Sequence, residues 1–372
     1  MNALRVCSIS VTILFLLFLL YGCGGGGDST AAVYTLGGDI HTPVAARLVH
    51  GTLFVVTAEV DGSTNLDMLV DTGASRTEIP AGIFGSPGGD VFIGSLCLEN
   101  GICFQNFLAR SADSAFTQSK EGYFNGIIGV DLLRNFDLSF DYKRELIYFY
   151  DVRENGSPGL VTIPIHYETG RPFTNVSMKG MPQGSNLLDT GAAYTRITPS
   201  MLDSLSEKPD VIFKSLNFTI NGSEMVEHVP LADYCVDTAC PDEIIAQVGS
   251  WPAVGGTFFR EFLTIFKFSE DTVKLDRYDD SSRINTGGIQ RTGLQINIYD
   301  ASDIIYVDEG SLAWEGGLRE GDEIISINGI PIDALGYFGI YELLADTSIN
   351  EYQFLVVTTD GDTEAVTVSI PS

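Results

Sequence analysis

From about Pro43 the chain alternates between short apolar runs and breaks rich in Gly, Asn and Asp, a pattern that predicts strands and hairpins. TLFVVTAEVDGSTNLDMLVDTGAS reads as a strand, a turn at Asp61-Gly62 and a second strand ending at Asp71. RPFTNVSMKGMPQGSNLLDTGAA repeats that plan with a longer turn and ends at Asp189, and Thr77 and Thr195 follow at the same offset. DVFIGSLCLENGICFQNFLARSAD is then matched by DVIFKSLNFTINGSEMVEHVPLAD, each a strand, an Asn-Gly turn and a return strand. GIIGVDLLRNFDLSFDYKRELIYF is matched by AVGGTFFREFLTIFKFSEDTVKL, each a buried run, a Gly, one helical turn and a closing hairpin. These elements recur in one order, which predicts two copies of one fold packed as an intramolecular pseudo-dimer. The copies are assigned to 43–155 and 156–280, with DVRENGSPG as the linker.

A third unit, 281–372, begins at SSRINTGG and holds GLQINIYD, IIYVDEGSLAWEGGLREGDEIISINGIPI, a helical ALGYFGIYELLAD and two strands around Asp360-Gly361. Gly310-Ser311-Leu312-Ala313, Gly317-Leu318, Gly321-Asp322 and Ile327-Asn328-Gly329 resemble the core of PDZ domains attached to bacterial periplasmic proteases. The competing reading is an unrelated small α+β domain. The resemblance implies a peptide groove between strand Leu294–Ile298 and helix Ala334–Leu344. Its peptide contacts would come from Gly293, Leu294, Gln295, Ile296, Tyr337 and Ile340. The loop Thr292-Gly293-Leu294-Gln295 lacks the second glycine common in that family.

The N-terminus carries an address. Arg5 precedes an apolar run from Ile9 to Leu20, too short to span a bilayer and of the length of a signal-peptide core. Leu20-Tyr21-Gly22-Cys23 resembles the lipobox of bacterial lipoproteins, which implies removal of residues 1–22 and a lipid on Cys23. Gly24, where an Asp would favour inner-membrane retention, points to the outer membrane facing the periplasm. An ordinary cleaved signal with a chance cysteine is the alternative. GGGGDSTAA then opens a flexible tether over 23–42.

Composition narrows the classes. The 372 residues and 44% apolar content suffice for two or three packed domains. A formal net charge of -28 argues against nucleic acid as a partner, since phosphate binding needs clustered Lys and Arg. Of six cysteines, Cys7 falls in the signal and Cys23 in the lipobox, leaving four. Cys97 and Cys103 flank a hairpin turn at Glu99–Gly101, and Cys235 and Cys240 close a similarly short loop. Two local disulfides, Cys97–Cys103 and Cys235–Cys240, fit an oxidising compartment. No His stands at ligand spacing to either pair, so no metal site and no cofactor are expected.

Two D-T-G-A loops, each followed later by an apolar-apolar-Gly segment, strongly resemble aspartic peptidases of the retropepsin and pepsin type over Pro43–Tyr278. The resemblance implies a mainly β, bilobal double-barrel fold and a monomer whose two lobes supply Asp71 and Asp189 to one site. It also implies that Thr72 and Thr190 brace the loops across the pseudo-twofold, while Gly73 and Gly191 bring backbone amides to the carboxylates. The chemistry needs both acids: two carboxylates held close share one proton, so one activates water while the other polarises the scissile carbonyl. Ala74 and Ala192 stand where a pepsin has a hydroxyl that stabilises the charged form, so a working pH milder than a gastric enzyme's is expected. Phe84-Gly85-Ser86-Pro87-Gly88-Gly89 has the chain position of a substrate flap, with a plain surface turn as the alternative. The expected activity is endoproteolysis of envelope proteins and peptides. The competing class is a scaffold that binds peptides in the cleft and the PDZ groove without cutting them.

Overall fold

The computed structural model describes residues 33–35, 41–112, 124–150, 152, 160–178, 181, 184–219, 222–278, 292–297 and 300–371. The signal segment, Cys23, most of the tether, nearly all of the DVRENGSPG linker and SSRINTGG lie outside the described residues. Within them the protein is mainly β.

In the first copy, strands run in the order Val33–Thr35, Cys103–Ala112, Glu78–Pro80, Gly126–Ile128, Thr64–Val70, Leu53–Val60, Arg47–Val49, with Asp90–Leu98 bridging Leu53–Val60 and Cys103–Ala112. Strand Val33–Thr35 lies inside the expected tether, and it pairs antiparallel with Cys103–Ala112. That correction has a simple cause: Val33-Tyr34-Thr35 has high strand propensity, and it satisfies the otherwise open edge of a long hairpin strand. The second copy orders its strands His166–Glu168, Arg171–Ser177, Gly184–Leu188, Ala253–Val254, Thr195–Ile197, Glu243–Val248, Gly222–Ala232, Phe213–Thr219.

The duplicated plan holds at the centre and departs at one edge. Leu69 pairs in parallel with Ile127, and Glu78 pairs with Ile127 from the other side. In the second copy Leu187 pairs in parallel with Ala253, and Arg196 pairs with Ala253. The neighbour beyond differs. Glu78–Pro80 lies parallel to Cys103–Ala112, the return strand of its hairpin. Thr195–Ile197 lies instead parallel to Glu243–Val248, an added strand that the matched-hairpin reading left out. The Cys235–Cys240 loop turns the chain between Gly222–Ala232 and that added strand, so the second hairpin sits one place further out.

A six-stranded sheet joins the copies: Leu160–Pro164, Thr272–Arg277, Phe262–Lys267, Asp137–Asp141, Leu146–Tyr148 and Val44–Ala45. Its central pair is Asp137–Asp141 against Phe262–Lys267, one strand from each copy. Phe140 and Phe266 meet there edge to face with ring centroids 5.8 Å apart. One continuous apolar core runs through both copies, from Val44 to Leu275. Burial of that shared interior favours one joint body over two separable lobes.

Residues 294–370 form their own core around Ile324, Tyr352, Phe354 and Val368. Its four-stranded sheet is ordered Ile330–Pro331, Glu323–Ile327, Glu351–Val357, Thr363–Ser369, and Leu294–Ile296 pairs separately with Ile304–Val307. Burial alternates strictly along Glu351–Phe354, as one buried face demands. The short helix Leu312–Gly316 is capped by the Ser311 hydroxyl, which accepts from Trp314 N at 3.3 Å, and ends at left-handed Gly317. Helix Ile332–Ala345 is broken by Gly336, whose φ of 61° no helix contains.

Candidate functional site

Each aspartate ends an apolar strand, so folding the core delivers both carboxyls to one place. Asp71 N donates to Ile128 O at 3.0 Å and Asp189 N to Val254 O at 2.9 Å. The two side chains are hydrogen-bonded to each other. A β-carbon at Gly73 would overlap the Asp189 carboxyl, and one at Gly191 would overlap that of Asp71. Only glycine permits so close an approach at either loop.

The threonines tie the loops reciprocally. Thr72 Oγ1 donates to Leu188 O at 2.7 Å and accepts from Thr190 N at 3.1 Å. Thr190 Oγ1 donates to Val70 O at 2.8 Å and accepts from Thr72 N at 3.0 Å. Both threonines are fully buried. Each hydroxyl thus satisfies two main-chain groups of the opposite copy, and none of the four groups could find water there.

Backbone amides hold the carboxylates. Asp71 Oδ1 accepts from Gly73 N at 2.6 Å and Ala74 N at 3.1 Å, and Asp189 Oδ1 accepts from Gly191 N at 3.0 Å. Burial and then the Asp189 charge push the Asp71 carboxyl well above the ordinary carboxylate range. Burial also raises Asp189, but Arg196, the bond from Asp71 and the loop amides oppose it. The pair therefore retains a proton at pH values where isolated aspartates have lost theirs.

Beneath the loops, Thr77 and Thr195 meet two residues that the sequence did not single out, Asp131 and Thr257. Thr77 Oγ1 donates to Asp131 Oδ1 at 2.8 Å and accepts from Gly129 N at 3.1 Å. At the same station Thr195 N donates to Thr257 Oγ1 at 2.9 Å, and Gly255 N donates to Thr195 Oγ1 at 3.2 Å. The shared offset of Thr77 and Thr195 after the aspartates was the available signal. Asp131 and Thr257 follow the apolar-apolar-Gly segments at matching places but are chemically unlike.

The Phe84–Gly89 segment is a run of turns rather than a two-stranded hairpin. Gly85, Ser86, Pro87, Gly88 and Gly89 are exposed, and the segment is fastened to the end of Cys103–Ala112: Gly88 N donates to Ser111 O and Ser111 N to Gly89 O, both at 2.8 Å. It is too short and too tied down to form the expected flap hairpin. Both expected cysteine pairs are at disulfide distance. Cys97 and Cys103 stand directly opposite in the hairpin register. Such bonds place the chain in an oxidising, non-cytoplasmic compartment. Among the described residues no helix is long and apolar enough to cross a membrane.

In the C-terminal unit Leu294, Ile296 and Ile340 are buried in the core, and Gly293 (φ 74°) packs where a β-carbon would strike Ser311. The side chain of Tyr337 lies outside the described residues. Gln295 turns to the second copy: its Oε1 accepts from Leu216 N at 2.8 Å and its Nε2 donates to Leu216 O at 2.9 Å. Asp308 Oδ2 accepts from Lys214 N at 3.1 Å. Tyr341, on helix Ile332–Ala345, meets His50 of the first copy edge to face at 5.1 Å. A cavity of about 550 Å³ opens beside this seam, lined by Ile212, Lys214, Gly293, Asp308 and Glu315 among others.

Residues 304–361 match the family model of the PDZ domain. The C-terminal unit therefore contains a PDZ domain, a module that recognises peptides or protein partners. No curated protein matches the chain.

Proposed function

We propose that the protein is an aspartic endopeptidase of the retropepsin and pepsin type, with Asp71 and Asp189 as its catalytic pair and the PDZ domain as its recognition module. The observation that carries this reading is the pair itself: two carboxyls, Asp189 buried and Asp71 half-buried, hydrogen-bonded to each other inside loops braced by Thr72 and Thr190. Forcing two acids together in a buried place costs stability, and folds keep such arrangements where chemistry needs them. A peptide-binding scaffold has no need of the shared proton.

The reaction follows from that proton. A water between the carboxyls gives a proton to the ionised aspartate while its oxygen bonds to the scissile carbonyl carbon. The protonated aspartate gives its proton to the carbonyl oxygen, so a neutral diol forms. On collapse the C–N bond breaks, the nitrogen takes the first proton, and the second returns to its aspartate. The amides of Gly73, Ala74 and Gly191 fix the carboxylates throughout.

Both PDZ elements expected to wall the peptide groove contact the rest of the chain, through Gln295 and Tyr341. Peptide capture there is therefore coupled to how the PDZ unit sits on the two copies. The proposed setting is the bacterial envelope, with the chain anchored through a lipid on Cys23.

The test compares the full-length protein with its Asp71→Asn form on a denatured protein substrate from about pH 3 to about pH 8. Cleavage by the first and its loss, by a factor of about 10³ or more, in the second is expected. Absence of cleavage by the parent across that range would sink the reading in favour of a scaffold.

A further inference from the structure

The two copies place opposite charges at one station. Glu78 and Arg196 each stand seven residues after their aspartate. Glu78 pairs with Ile127, which pairs with Leu69, two residues before Asp71. Arg196 pairs with Ala253, which pairs with Leu187, two residues before Asp189. The register makes the stations equivalent, and one carries an anion where the other carries a cation.

Their surroundings differ as well. Glu78 is met by Arg110 at 3.7 Å and by the charge of Arg76, so its negative charge is compensated locally. Arg76 is itself paired with Asp90 at 2.8 Å. Arg196 is half-buried and held from two sides: its Nε donates to Gln247 Oε1 at 2.9 Å, and its guanidinium lies over the Trp251 ring at 4.4 Å. Three anionic groups feel its charge: Asp189, Glu224 and Asp71. Burial opposes that charge, yet a guanidinium does not give up its proton in a protein. The aspartate pair thus lies in the field of a cation on the second copy, with no equivalent cation at the first copy's station.

We propose that Arg196 is a positioning residue that assigns the shared proton, keeping Asp189 as the carboxylate and leaving the proton on Asp71. The assignment rests on reading the pair as the catalytic centre, and it gives the two acids separate roles. Asp189 takes the proton from water, and Asp71 donates to the carbonyl oxygen. The symmetric loops leave this choice open; the cation beside one of them decides it.

The test uses the full-length protein with Arg196→Gln and Arg196→Lys. Loss of the cation favours the protonated form of both carboxyls, so in Arg196→Gln both limbs of the kcat/KM–pH profile move to higher pH by roughly one pH unit. Arg196→Lys retains the charge and keeps its limbs near the parent's. In a ¹³C titration of labelled aspartates, which needs no activity, the two carboxyls titrate apart in the parent and draw together in Arg196→Gln. A folded Arg196→Gln with the parent's limbs and the parent's ¹³C curves overturns the proposal, as does Arg196→Lys behaving like Arg196→Gln. A parent that cleaves nothing but shows this ¹³C pattern overturns the peptidase reading alone and supports the proton assignment.

Discussion

The two copies agree in main chain and disagree in charge. Across the pseudo-twofold, Thr72 N to Thr190 Oγ1 is 3.0 Å and the reverse bond is 3.1 Å. One turn away the agreement stops. Asp131 supports Thr77 where Thr257 supports Thr195, Arg76 stands where the second copy has Tyr194, and Glu78 stands where it has Arg196. The difference teaches which features the site needs twice. Holding two carboxyls in contact requires both amide loops and both threonine braces, because each brace satisfies groups of the other copy. The ring around them has no such obligation, and there the copies have diverged into one more anionic and one more cationic side.

The sharpest way to break the comparison is at the braces. Thr72→Val and Thr190→Val each remove a hydroxyl that serves a buried carbonyl and a buried amide of the opposite copy. Each substitution should destabilise the chain by roughly 2–5 kcal/mol, because two groups lose their partners at once. The reciprocal geometry requires the two costs to be equal within about 1 kcal/mol. Chemical denaturation of both variants measures this, and a severe loss in one beside a mild loss in the other would contradict a symmetric brace.

A second prediction concerns the second copy alone. His228 is buried against Phe213, with rings stacked at 4.1 Å, and its Nε2 lies 2.8 Å from Ser215 Oγ. Burial pushes its pKa down from 6.5 to about 3. The folded state therefore stays neutral where the unfolded chain takes up a proton. The stability from this group is complete above about pH 6.5 and is lost as pH falls toward about 3, at about 1.4 kcal/mol per pH unit. Asp71 and Asp189, raised by burial, act in the opposite sense and favour the fold at low pH. His228→Phe should flatten the stability–pH curve in that window by about the stated slope. Parallel curves for parent and variant would remove the argument.

How much of this was legible in the sequence depends on the range over which each signal acts. The paired aspartates could be read because each ends an apolar run at a glycine turn, and their threonine braces only through the resemblance to aspartic peptidases. Cys97 and Cys103 could be read because a tight hairpin puts them face to face. Strand Glu243–Val248 was missed because the Cys235–Cys240 loop inserts it into a repeat whose hairpins otherwise look matched. Arg196 gave no signal in Thr-Arg-Ile, where an arginine in a short strand usually faces solvent; only its register on Ala253, which pairs in turn with Leu187, sets it across one strand from the chain that leads to Asp189. The flap expectation rested on chain order, and order alone does not supply the residues that a hairpin needs.

The smallest predicted effect concerns how the two copies protect their outer strands. In the first, Val33–Thr35 covers the edge of Cys103–Ala112 by main-chain pairing. In the second, Phe213–Thr219 ends the sheet, and side chains of the PDZ unit cover it. The Gln295 carboxamide offers one donor and one acceptor to Leu216, as a neighbouring strand's peptide would, and Asp308 takes the Lys214 amide. An uncovered edge invites pairing with another chain, so this contact closes a sheet edge and ties strand Leu294–Ile296 to the second copy. Gln295→Ala removes two hydrogen bonds whose partners can turn to water once the seam loosens, a net cost of about 1–2 kcal/mol confined to the seam. The Leu216 amide should then exchange with solvent about tenfold faster, while amides of Thr64–Val70 keep the parent's rates. If Leu216 exchanges at the parent's rate in Gln295→Ala, the carboxamide does not hold the PDZ unit to the edge, and the two copies cover their sheets independently of it.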